Sequence, residues 1–90
     1  MGPNCGPAHD LLVAGRSYEV IREFRDFEGD LHPAGERWVF LGFCFLPHDD
    51  GMSFFVATDA EYEWHIPLQW RPDQQGPVLD NVAAHVRQSD

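Results

Sequence analysis

Residues 54–70 read FFVATDAEYEWHIPLQW, and the second half keeps a strict two-residue rhythm. Tyr62, Trp64, Ile66 and Leu68 fall on one side, and Glu61, Glu63 and His65 on the other. Successive side chains of a β-strand point to opposite faces, so the pattern predicts a strand buried on one face, running from Glu61 to Leu68. Working backwards, Met52 to Thr58 reads as the strand before it, joined through Asp59-Ala60.

The upstream run RWVFLGFCFL, residues 37–46, is apolar at both parities. Such a strand is either covered on both faces or turns an aromatic face outward to bind something. Gly42 in its middle suggests a bulge or bend. Pro47-His48-Asp49-Asp50-Gly51 is a loop with an Asp-Gly turn signal. Further upstream, Ser17 to Phe27 reads as a first strand with imperfect alternation, because Arg22 shares its parity with Tyr18, Val20 and Phe24. Glu28-Gly29-Asp30 and Pro33-Ala34-Gly35 are turns.

After Trp70 the period changes. Pro72-Asp73 resembles a helix start, and Val78, Leu79, Val82, Ala83 and Val86 recur at helical spacing. Residues 1–15, rich in Gly and Pro, are expected to form a flexible leader, within which Asp10 and LLVA suggest one helical turn. Residues 16–90 are then a single domain. The expected fold is α+β and mainly antiparallel β. It is a small bent sheet or SH3-like barrel of four to five strands, with one C-terminal helix covering an open edge.

Several positions share a longer pattern. His32, Gly35, Glu36, Trp38, Phe40, Leu41 and Gly42 lead into Phe45-Leu46-Pro47 and Asp49-Asp50-Gly51. Trp64-His65-Ile66, Leu68-Gln69-Trp70, Gln75-Gly76 and Leu79-Asp80-Asn81 follow. Over residues 17–86 the chain resembles a family of short bacterial domains of unknown function. The resemblance implies no particular activity.

The 90 residues carry 15 acidic and 6 basic side chains, a formal net charge of −9. All the basic residues are Arg, a bias expected of a GC-rich bacterial genome. The acidity disfavours direct nucleic-acid binding, which needs a basic stripe, and favours encounter with basic partners. No stretch reaches the roughly 18 apolar residues of a membrane span, and no signal peptide is evident. Cys5 and Cys44 are expected to be free thiols in a reducing cytoplasm.

No motif supports catalysis. Cys44 with His65 is the single thiol–imidazole pairing, and Cys44 between Phe43 and Phe45 is expected to be inert. The chain is therefore expected to be a small acidic cytoplasmic module that binds a protein with a basic surface, without a cofactor. An inhibitor or immunity-type protein is of this kind. Trp38, Phe43, Phe45, Asp49, Asp50 and Trp70 are the partner-binding candidates. The alternative is a small-ligand or metal site built from His32, His48 and His65 with Asp49 and Asp50, because imidazole and carboxylate suit a Zn²⁺-type ion.

Overall fold

The computed structural model describes residues 5–46, 51–58 and 63–89. The strands are β1 (Cys5–Gly6), β2 (Ala8–His9), β3 (Leu12–Val13), β4 (Ser17–Val20), β5 (Phe24–Arg25), β6 (Leu31–His32), β7 (Arg37–Leu46), β8 (Gly51–Ala57), β9 (Glu63–Gln69) and β10 (Val86–Gln88). Two short helices, α1 (Gly76–Leu79) and α2 (Val82–His85), precede the last strand. A six-stranded antiparallel sheet runs in the order β10-β4-β7-β8-β9, with β1 also paired to β7. The β2–β3 and β5–β6 pairs form separate hairpins. The chain is thus a small, mainly antiparallel α+β domain.

The double parity of β7 has a simple cause. Phe40 pairs with Val56, but the next pair on β8 is Gly42 with Phe55, so Leu41 and Gly42 together oppose one residue. This bulge resets the alternation. Trp38 and Phe40 before it, and Phe43 and Phe45 after it, all turn toward one side. Gly42 is required there: its φ is +152°, and a Cβ would meet the Gly6 carbonyl oxygen at 3.1 Å. Both halves of the apolar run therefore serve one core.

That core lies on one face of the sheet. Tyr18, Val20, Phe40, Val56 and Ile66 are fully buried there, with Met52, Phe54, Leu68 and Val86 nearly so. Leu12, Phe24, Leu79 and Val82 close it from the hairpins and helices. The first strand expected from the sequence is split. Its chain leaves the sheet after Val20, where Ile21 and Arg22 donate to the His85 carbonyl, and turns into the β5–β6 hairpin. The edge strand β9 carries Pro67, which has no donor, and the Pro67 carbonyl accepts from Phe27 N–H at 2.8 Å.

The main sheet has six strands rather than the expected four to five, and three further expectations need correction. The C-terminal helix is two short helices broken at Asn81, whose φ of −138° and ψ of 48° are not helical. Its side-chain amide donates to the Pro77 carbonyl at 2.9 Å, the local competition that makes Asn a poor helix-interior residue. Val86 accordingly lies in β10, which covers the edge of β4.

The leader is also integral from residue 5. Leu12 is fully buried. The Tyr18 hydroxyl donates to the Leu11 carbonyl at 2.8 Å and accepts from Val13 N–H at 2.7 Å. Asp10, at φ 54°, turns a hairpin rather than starting a helix.

Third, Cys5 and Cys44 are not free thiols but a disulfide. They are direct cross-strand partners in β1 and β7, a proximity invisible at a sequence separation of 39. Reduction is expected to lower stability by about 2–4 kcal/mol, because it releases a long loop constraint in the unfolded chain. Urea unfolding with and without dithiothreitol measures this; an unchanged midpoint would contradict the bridge.

Candidate functional site

The turn between β6 and β7 builds a buried polar chain. His32 is 2% exposed, and both ring nitrogens meet carboxylates: Nε2 lies 2.9 Å from Asp26 Oδ2 and Nδ1 lies 2.7 Å from Glu36 Oε1. Glu36 Oε1 also accepts from Trp38 Nε1 at 3.1 Å. The other Asp26 oxygen accepts the N–H groups of Glu28 and Asp30. Phe24 stacks on the imidazole at 4.9 Å, and Trp64 meets it edge-on at 5.8 Å.

A neutral imidazole has one N–H and so satisfies one carboxylate by donation; the imidazolium satisfies both. Burial pushes the His32 pKa down, but the hydrogen bonds and charges of Glu36 and Asp26 outweigh it and leave the pKa raised. The two nitrogens point to opposite sides of the ring, so Asp26 and Glu36 cannot converge with His32 on one ion. Its chemistry is structural.

The opposite face of the sheet is open. By strand alternation it carries Ser17 and Glu19 of β4, Val39, Leu41 and Cys44 of β7, Ser53, Phe55 and Ala57 of β8, and Glu63, His65 and Pro67 of β9. At one end Glu19 is flanked by Arg87 at 3.0 Å and Arg37 at 3.9 Å. The middle is apolar: Leu41 and Phe55 are each 38% exposed. His65 stacks on Phe55 at 5.5 Å, and its Nε2 lies 2.8 Å from Ser53 Oγ.

Beside this pair is a cleft of about 270 Å³, lined by Phe27, Gly51, Met52, Ser53, His65, Pro67, Leu68 and Gln69. Phe27, 52% exposed, reaches it from the tip of the β5–β6 hairpin. Ser53 and His65 resemble a nucleophile and its base. However, no acid orients the free Nδ1 of His65 among the described residues, and a hydroxyl needs such a positioned base to become nucleophilic. The arrangement presents hydrogen-bonding groups on an aromatic platform.

The residues singled out by sequence are scattered. Trp38 is 3% exposed and bonded to Glu36, so it is a core residue rather than a partner contact; pairing with the buried Tyr18 of β4 sets its face inward. Phe43 and Phe45 are partly buried against the core. Trp70 is 38% exposed, donates to Asp80 Oδ1 at 2.8 Å, and meets Phe45 and His9 edge-on. Burial lowers the pKa of that His9, against the raising charge of Asp10. Trp64, read from its clean alternation as core, is 39% exposed at the end of its strand.

His32 is committed to its carboxylates, and His65 to Ser53. His48, Asp49 and Asp50 lie outside the described residues. Among the described residues no three His, Cys, Asp or Glu side chains are disposed to hold a metal ion. Cys44, weighed as a nucleophile, is tied in the disulfide.

Sequence reasoning missed Phe27, Phe55 and Ser53. The His32–Glu36 pair had a visible signal, a four-residue spacing across a Pro-Ala-Gly turn.

Comparisons with a family model and with solved structures both find likenesses. The model of a family described as "Domain of unknown function (DUF3601)" matches residues 8–86. The chain is also similar to a solved structure from the mobile metagenome of Vibrio cholerae, integron cassette protein VCH_CASS4. The TM-score is 0.90 at 28% sequence identity, over 93% of this chain and 92% of that one. No curated protein matches. No helix among the described residues is long and apolar enough to cross a membrane.

Proposed function

The chain belongs to the DUF3601 family of unknown function, and from that premise we propose that it acts by binding rather than catalysis. It is a small acidic protein-interaction module whose open sheet face docks a partner with a basic surface, as an inhibitor or immunity-type protein does. One observation carries this reading. Phe27, Leu41 and Phe55 remain exposed, and Leu41 and Phe55 share one sheet face. Contiguous exposed apolar surface rimmed by polar groups is the usual signature of an interaction site, with aromatic anchors at its centre. The net charge of −9 steers a basic partner toward it.

The bend that Gly42 introduces in β7 supports barrel-like curvature of the SH3 kind. The expectation of a cytoplasmic protein rested partly on free thiols, beside the lack of a visible signal peptide. The Cys5–Cys44 bridge removes that support and favours a setting where thiols stay oxidised. The alternative of a small-ligand site keeps one supporting feature, the cleft beside Ser53 and His65.

The test is capture from a host lysate on immobilised protein, comparing the native sequence with Phe55→Asp. The expected result is a retained protein with a basic surface, released by added salt and lost with Phe55→Asp. No retention, or equal retention by a folded Phe55→Asp variant, would overturn the proposal.

A further inference from the structure

We propose that the cleft between the β5–β6 hairpin tip and the β8–β9 face receives one arginine side chain of that basic partner; this rests on the binding reading above. At about 270 Å³ the cleft falls just below the range of roughly 300–1,000 Å³ typical of small-molecule sites, and suits a single side chain. Its chemistry is divided in the way an arginine is. Pro67 and the edge of Phe27 offer apolar surface for the methylene stem, with Met52 and Leu68 buried beneath them.

Phe27, and the His65 ring stacked on Phe55, offer aromatic faces for a planar guanidinium. Arginine brings only donors, and Ser53 Oγ has lone pairs to accept them. So does His65 Nδ1, when Nε2 carries the ring proton and donates to Ser53. The charge is complementary. Glu28 and Asp30, both exposed, lie on the same hairpin tip as Phe27, and exposed Glu63 shares the face of His65 on β9. The neighbouring cation, Arg25, is turned to the Gly29 carbonyl at 2.9 Å. Lysine is a compact, strongly hydrated charge and gains less from an aromatic wall.

The experiment is an amide chemical-shift titration with L-argininamide, L-lysinamide and L-phenylalaninamide, followed by an arginine-rich peptide. Argininamide is expected to give saturable shifts at Phe27, Ser53 and His65. Its affinity should exceed that of lysinamide by about 3- to 5-fold, the margin of an exposed cation–π contact, and Phe27→Ala should abolish that preference. Equal binding of lysinamide, tighter binding of phenylalaninamide, or shifts confined to other surfaces would overturn the pocket. An arginine-rich peptide that binds elsewhere in a salt-dependent way removes the pocket but leaves the binding module standing. No binding of any probe removes the pocket and weakens the module with it.

Discussion

Phe40→Ala should cost about 3–5 kcal/mol of stability, the range for a large buried aromatic. Phe40 is fully buried, and Phe54 and Tyr18 meet it edge-on at 5.7 and 6.4 Å. It is also the last residue before the bulge, so its burial decides which face of β7 is the core. Truncating Leu41, its neighbour, should cost only about 1 kcal/mol, because that side chain is 38% exposed. Urea unfolding of the two variants measures both. Equal costs, or a larger one for Leu41, would reverse the assignment of core and open faces.

His32→Leu should cost about 3–5 kcal/mol, because removing one partner leaves buried charge uncompensated. Asp26 is 4% exposed and would lose its cation. Leucine keeps most of the volume, so the loss reports electrostatics more than a cavity.

The pH profile separates this from a packing defect. The His32 pKa is raised in the folded state from its ordinary value of 6.5. Its stabilisation is therefore fully present below pH 6.5 and disappears as pH rises through the folded value. His9 has the opposite sign. Its pKa is lowered, so the stability tied to it is present above pH 6.5 and lost as pH falls through the folded value. The window just above pH 6.5 thus belongs to His32. The native protein should lose stability on passing upward through it, and His32→Leu should show no such decline. A native profile flat across that window would contradict a doubly bonded imidazolium.

Much of the sheet was legible because β8 and β9 each bury one face, and one-sided burial writes itself as period two. Gly42 was legible as a bulge for a related reason: a glycine inside an apolar strand has no packing role of its own. That the bulge brings Phe43 and Phe45 onto the same side as Trp38 was not legible. It depends on counting two residues of β7 against one of β8, a pairing fact rather than a local one.

The helix failed on similar grounds. Val86 keeps helical spacing with Val82 and Leu79, but it also fits a strand, and the free edge of β4 supplies the partner that decides. The disulfide and the role of residues 5–15 needed spatial neighbours that sit 39 positions away in one case. The candidate site was the least legible part. Phe27 comes to it from a distant hairpin, and Phe55 is marked only by falling on the face opposite Phe54.

On the proposed reading, partners dock on the open sheet face rather than around Trp70. Hydroxyl-radical footprinting of the protein, alone and bound to its captured partner, tests this most directly, since aromatic side chains report their own solvent contact. Binding should protect Phe27, Leu41 and Phe55, exposed at 52%, 38% and 38%, while Trp70, exposed at 38%, keeps its reactivity. Protection of Trp70 and Phe45 with Phe27 and Phe55 unchanged would place the interface at the other side of the sheet and contradict the account.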